Sequence, residues 1–363
     1  MKKKIFIILI YILLSIHSYS QAPKYSNEFL AIGVGARSLA MANSTVACVN
    51  DITSTYWNPS GLLLISDDWQ IGAMHSEYFA GIAKYDYFSG AYRINEERSF
   101  GFSVIRFGVD DIPNTLELID NDGNIRYDRI KSFSVADYAL LFSYASKSKI
   151  EGLRYGGNVK IIRRIAGEFA SAWGFGFDVS AQYDMGKWNF GAIGRDITST
   201  FNAWSFNTSE LEDVFILTGN EIPSNSLEIT LPKLILGAAR NFDISDKFKA
   251  IAEIDIDITS DRKRNVLIKS NPFSIDPHIG GEIGYKNTVF FRAGIGNIQK
   301  EPDFDEKNSL SFQPNIGIGI KIDYLIIDYA LTDVGDVSIA LYSHIFSLKY
   351  SINKKIVATN IDR

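Results

Sequence analysis

From residue 68 to residue 351 the sequence alternates, and that alternation leaves few folds open to the chain. It is clearest over 171–183, SAWGFGFDVSAQY. Trp173, Phe175, Phe177, Val179, Ala181 and Tyr183 fall on one face, and Ala172, Gly174, Gly176, Asp178, Ser180 and Gln182 on the other. Successive side chains of a strand point to opposite faces, so one side of this strand is aromatic and the other small or polar. In 248–258, Phe248, Ala250, Ala252, Ile254, Ile256 and Ile258 oppose Lys249, Ile251, Glu253, Asp255 and Asp257. In 315–324, Ile316, Ile318, Ile320, Ile322 and Tyr324 oppose Asn315, Gly317, Gly319, Lys321 and Asp323. Segments of this kind number about fourteen. They span 68–77, 81–95, 98–109, 134–147, 152–165, 172–184, 187–197, 230–241, 247–259, 276–287, 288–298, 311–322, 324–332 and 338–351. Several reach or exceed the roughly 9–11 residues that carry a tilted strand across a bilayer, against about 5–6 for a globular strand.

The connections separate a membrane barrel from a soluble sandwich. Those after even-numbered segments are short, at 96–97, 148–151, 185–186, 242–246, 286–287 and 323. Those after odd-numbered segments are mostly long, at 110–133, 198–229, 260–275 and 299–310, with 166–171 and 333–337 intermediate and 78–80 a short exception. Short turns at one end and long loops at the other mark an outer-membrane barrel, whereas nothing in a sandwich sorts loop length by parity. The expected fold is all-β: a transmembrane antiparallel barrel of about fourteen strands over 67–351, followed by a periplasmic tail at 352–363.

Two segments precede the strands. Lys2, Lys3 and Lys4, an apolar run from Ile5 to Ile16 and Ser18-Tyr19-Ser20 have the layout of a secretory signal peptide over 1–20. Cleavage after Ser20 removes three lysines and no acid, taking the net charge from −5 to −8. An acidic mature chain repels phosphate, which argues against nucleic acid as a partner. The single cysteine, Cys48, rules out an intramolecular disulfide framework. The second segment, within 21–66, is dense in small residues, among them Gly33, Gly35, Ala36, Ala40, Ala42, Ser44, Ala47 and Ser54, and does not alternate. Small residues let backbone pack closely in an enclosed space. The expectation is a plug, or hatch, held in the lumen by Phe29, Gly33, Gly35, Arg37, Trp57, Asn58, Pro59 and Gly61, with Trp57 anchoring it to the wall and Asn58 bonding neighbouring backbone. An arm laid over a soluble core is the competing reading.

Several stretches resemble the PorV/PorQ family of the Bacteroidetes outer membrane, relatives of the FadL fatty-acid channel. They are Phe29-Leu30-Ala31-Ile32-Gly33-Val34-Gly35-Ala36-Arg37, Tyr56-Trp57-Asn58-Pro59-Ser60-Gly61, the run from Arg106 to Thr115, Ser132 to Tyr138, Thr218 to Pro223 and Leu236 to Arg240. Ser60 departs from the family's usual Ala but stays small. The resemblance implies a 14-stranded FadL-type barrel with an N-terminal hatch, set among outer-membrane lipid. It also implies one of two jobs. One is service in type IX secretion, with a translocon subunit and the signal domains of secreted cargo as partners. The other is passage of a long-chain hydrophobic small molecule.

The residues give little support to an enzyme, and neither cofactor nor metal is expected. His75, His278 and His344 lie in separate strands and His17 in the leader, with no Cys/His cluster at ligand spacing. Gly33-Val34-Gly35 lacks the third glycine of a dinucleotide site. Asp120-Asn121-Asp122-Gly123-Asn124 has Ile125 and Lys131 where a calcium loop needs Gly and Glu. Glu253, Asp255 and Asp257 are expected to face an aqueous lumen, and Trp173, Trp188, Tyr183 and Tyr324 to lie near strand ends, as interfacial girdles do.

Overall fold

A computed structural model describes residues 26–353, apart from 121, 209–211, 213–214, 217–218, 220, 223, 261–262, 303–307 and 333–342. The expected signal peptide, and the tail from 354 onward, lie outside the described residues. The described strands are β1 (Trp69–Tyr78), β2 (Ala83–Asn95), β3 (Arg98–Asn114), β4 (Lys131–Lys147), β5 (Leu153–Ala166), β6 (Ala170–Met185), β7 (Trp188–Arg195) and β8 (Thr200–Phe206). They continue with β9 (Ser226–Thr230), β10 (Lys233–Asp243), β11 (Phe248–Thr259), β12 (Ser274–Tyr285), β13 (Val289–Pro302), β14 (Asn308–Ile322), β15 (Leu325–Thr332) and β16 (Ser343–Ile352).

All pairings are antiparallel, and β1 joins β16 to close the sheet into a barrel. The sixteen strands make fourteen staves. β6 pairs with β7 over its turn-side half and with β8 over its loop-side half. Likewise β10 pairs with β7, and β9 with β8. β7 and β8 are therefore halves of one stave, parted at Asp196 and Ser199, whose φ angles are 54° and 58°. β9 and β10 form another, parted at Pro232, which has no N–H for the ladder.

The expected loops at 110–133, 198–229 and 299–310 are thus corrected, the last because β13 runs on to Pro302 and β14 begins at Asn308. The stretch 110–133 is shorter than expected, because β3 runs on to Asn114 and β4 begins at Lys131. The stretch 198–229 contains β8 and β9. In β8 apolar side chains fall on both faces, Phe201 and Ala203 on one, Trp204 and Phe206 on the other, so no period-2 contrast exists to read.

Outward side chains such as Trp173, Phe175, Phe177, Phe291, Ile318 and Phe346 are exposed, while their inward neighbours are buried. The barrel's inward side chains and the segment from Ser26 to Ile65 form the core. Val34, Leu39, Tyr56 and Trp57 of that segment pack against Met74, Tyr85, Ile105, Leu141, Ile162 and Ile345 of the wall. The N-terminal segment thus lies inside the barrel, among the inward side chains of the wall.

Candidate functional site: the inner segment and its wall

The inner segment folds into short turns of helix: a 3-10 turn at Glu28–Ala31, α1 (Ala36–Ala40), α2 (Ser54–Trp57) and a 3-10 turn at Pro59–Leu64. Helices this short are unstable alone, so the wall must hold them. Gly33 and Gly35 have φ of 96° and 85°, a region that L side chains avoid, and they turn the chain into α1. Pro59 begins its helical turn, where a missing N–H costs nothing. Asn58 is fully buried and uses its whole bonding capacity. Its Nδ2 donates to the carbonyls of Val46 (2.8 Å) and Ala181 (3.2 Å), and its Oδ1 accepts from the Ser60 N–H (3.3 Å) and Ser60 Oγ (2.5 Å). Ala181 lies on β6, so Asn58 ties the segment to itself and to the wall.

Trp57 does not anchor to the wall by hydrogen bonding. Its Nε1 donates to the carbonyl of Val34 at 2.8 Å, inside the segment. An indole N–H can only donate, and wall carbonyls are mostly taken by the strand ladder. The wall reaches in instead: the Arg195 guanidinium lies 4.2 Å from the Tyr56 ring centroid and 5.4 Å from that of Trp57, and donates to the Tyr56 carbonyl. Phe29 is buried in the same core.

Glu253 and Asp255 face inward but do not meet water; both are fully buried. Asp255 Oδ2 accepts from the N–H groups of Thr45 (2.9 Å) and Val46 (3.1 Å). Glu253 accepts from Ala47 (2.6 Å) and Cys48 (3.0 Å). Two carboxylates on one face of β11 thus hold four consecutive N–H groups. From β6, Gln182 Nε2 donates to the carbonyls of Val46, Ala47 and Val49. The expectation of an aqueous lumen fails at this level because irregular backbone fills it and needs its polar groups satisfied. Cys48 is enclosed there, its thiol pushed well above the ordinary range by burial and then by Glu253.

Arg37 starts a buried chain of charge. Its Nε lies 3.0 Å from Glu282, Glu282 lies 2.6 Å from Arg292, and Arg292 lies 2.7 Å from Asp328. Asp328 lies 3.1 Å from Lys349, which closes the chain 2.7 Å from Asp51. Three cations face three carboxylates, so the network is neutral. Arg37 and Asp51 belong to the inner segment and the other four to β12, β13, β15 and β16. Burial alone would raise the Asp51 carboxyl, but Lys349 and then Arg37 outweigh it and hold the carboxyl well below the usual range. Elsewhere, Ser44 Oγ lies 3.2 Å from His278 Nδ1, and His278 Nε2 lies 3.1 Å from Asp257. Ser44 is wholly buried, so this contact joins segment to wall and offers no accessible nucleophile.

Wall glycines make the room. A Cβ at Gly156 would sit 2.6 Å from the Ser60 nitrogen; at Gly101, 2.6 Å from Thr55 Cγ2; at Gly280, against the Met41 carbonyl and 2.6 Å from Met41 Cβ; at Gly294, 2.6 Å from the Ala42 nitrogen. These glycines lie on different staves at the level of the inner segment. Gly156→Ala is therefore expected to destabilise the segment's seat by about 1–3 kcal/mol through overpacking, seen as a lower temperature for loss of the heat-modifiable form on gels. Gly90→Ala, whose Cβ would meet only Ile71 at 3.9 Å, is expected to leave that temperature unchanged.

Cavities flank the segment. The larger, about 1010 Å³ on the short-turn side, is lined by charged groups including Lys249, Lys321, Asp51 and Lys349. On the loop side, about 360 Å³ lies among Asn43, Asp257, His278 and Asn297. Among the described residues no group of three or more His, Cys, Asp or Glu is placed to hold a metal ion. The turn at Asp120 is held by its own carboxylate, which accepts from the N–H groups of Asp122 and Asn124.

Residues 21–204, from just before the inner segment to within β8, match the family described as Type IX secretion system protein PorV. The chain belongs to the PorV family. Its fold is shared with solved channels of low sequence identity. The CymD monoaromatic hydrocarbon channel is 14% identical with a TM-score of 0.55, covering 89% of this chain and 98% of that one. The Ralstonia pickettii toluene transporter TbuX is 13% identical with a TM-score of 0.52, covering 88% and 99%. A Pseudomonas aeruginosa FadL homologue is 12% identical with a TM-score of 0.52, covering 88% and 98%. No curated protein matches the chain. The PorV family and these neighbours comprise a secretion-system protein and transport channels, not enzymes. Sequence reasoning had picked out residues of the inner segment and missed its wall partners Gln182, Arg195, Arg292, Asp328 and Lys349. Their one signal was a polar residue on the non-aromatic face of a strand.

Proposed function

We propose that this PorV-family protein is an outer-membrane barrel whose residues 26–66 form a hatch, and that it acts in type IX protein secretion as a cargo-receiving or translocon-associated subunit. The family match over residues 21–204 carries this reading, because it spans the inner segment, the first six staves and most of the seventh. A hatch tied to the wall through buried charge and backbone suits a subunit that presents a surface to protein partners. A strain lacking the protein is expected to retain type IX cargo in the periplasm, measured by immunoblot of medium and periplasmic fractions; normal secretion of every cargo refutes the reading.

The second reading, a channel for long-chain hydrophobic solutes, is favoured by the fold shared with hydrocarbon channels. The charged lining of the turn-side cavity weighs against it, since an apolar solute gains nothing there. Uptake of a long-chain fatty acid into proteoliposomes faster than into empty vesicles would reverse the order of the two readings.

A further inference from the structure

The outer face of the barrel is not uniform around its girth. On β6 the outward residues stay apolar from Tyr183 to Trp173, and on β14 from Ile322 to Leu310. Ten residues at about 3.3 Å each, tilted by about 40°, rise roughly 25 Å, the height of the apolar band of such barrels. On β1, β2 and β3 the run stops early, after Ala73, Phe88 and Val104. The next outward residues are His75, Asp86 and Arg106, paired in register across the three strands. Six residues above Trp69, His75 stands only about 15 Å up by the same geometry.

These three groups are linked to one another and to charges just above them. His75 Nδ1 lies 2.7 Å from Asp86, and Arg106 lies 3.7 Å from Asp86 and 3.2 Å from Asp110. Lys84 lies 3.5 Å from Asp110, and Glu77 3.9 Å from His75. Directly beneath is a groove of about 410 Å³ with Phe88, Val104, Phe346 and Leu348 in its lining. Charges on a lipid-facing wall are costly at mid-band depth because hydrocarbon cannot solvate them. Uniform tilt of the barrel would displace the band on this side without shortening it.

We infer that the face formed by β16 and β1–β3 is covered by a second membrane-embedded protein rather than by lipid. The inference rests on the outer-membrane placement proposed above and is independent of type IX secretion. Three carboxylates, Glu77, Asp86 and Asp110, stand against the two fixed cations Lys84 and Arg106, so the patch is rich in hydrogen-bond acceptors. The partner segment that fits it presents a Lys, Arg, Asn or Gln side chain at this height and an apolar side chain to the groove.

The test places p-benzoylphenylalanine at Phe88 or Phe346, and at Phe177 or Ile318 as controls, in full-length protein in intact cells. Heat-modifiability on gels confirms that each variant is folded. Irradiation is expected to give one discrete protein adduct from Phe88 and Phe346 and none from the controls. Mass spectrometry is expected to map it to a membrane-spanning segment bearing Lys, Arg, Asn or Gln. The folded double variant Asp86→Leu/Arg106→Leu is expected to reduce the adduct at least tenfold, whereas Asp86→Asn/Arg106→Gln retains part of it. Adducts with lipid alone, an adduct of twice the chain's own mass, a partner segment without such a side chain, or an adduct indifferent to the leucine pair each overturn the inference. An adduct found in cells whose type IX cargo is unaffected by loss of the protein would sustain this inference while refuting the secretion reading.

Discussion

Arg292→Met is expected to destabilise the barrel by about 3–5 kcal/mol, the cost of removing one partner from a buried ion pair. Arg292 is the cation between Glu282 and Asp328, at 2.6 and 2.7 Å. Its loss leaves Glu282 with Arg37 alone and Asp328 with Lys349 alone, changing three cations against three carboxylates into two against three. All are buried, so bulk water makes up only part of the deficit. The temperature at which heat-modifiability is lost should fall by many degrees. Adding Glu282→Gln should recover part of the stability, because it removes the surplus negative charge. Recovery of nothing would mean that the packing of the Arg292 side chain against Phe290, 5.3 Å from the ring centroid, outweighs its charge.

Replacing Pro59 and Gly61 together by Ala is expected to loosen the inner segment and leave the barrel standing. A Cβ at Gly61 would strike the Val49 carbonyl and come within 2.7 Å of Ser54 Oγ. Loss of Pro59 frees the chain where Asn58 must aim its side chain at Val46 and Ala181. Neither Pro59 nor Gly61 belongs to the ladder of strands from β1 to β16. The double variant is therefore expected to reach the outer membrane, remain heat-modifiable, and conduct ions in planar bilayers or admit small antibiotics where the parent does not. Failure to fold would show that the segment belongs to the barrel's folding core. Unchanged conductance would show that the lumen is closed elsewhere, for example by the loop-side residues between β3 and β4.

The barrel was legible in the sequence because its physics is local. A strand with lipid on one side and packed interior on the other must alternate, so Trp173, Phe175 and Phe177 against Gly174, Gly176 and Asp178 declare both strand and face. The stave count came through for the same reason, and the interruptions at 196–199 and Pro232 split two staves without changing it. Residues special to backbone were also visible in advance: Gly33, Gly35, Asn58 and Pro59 stand out by type alone. Their partners did not, because a partner is a matter of which distant residues share a level in the closed barrel. Glu253 and Asp255 look the same in sequence whether they face water or four backbone N–H groups 205–210 residues away. Arg37 finds Glu282, and Asp51 finds Lys349, only after ring closure brings β12 and β16 around the inner segment. The sequence by itself determined the strands, their two faces and the small-residue segment that precedes them. The tertiary structure decided that this segment is enclosed, that Trp57 bonds inward to Val34, and that Glu253 and Asp255 are buried against it, because burying irregular backbone obliges the wall to supply the hydrogen bonds that water would otherwise make.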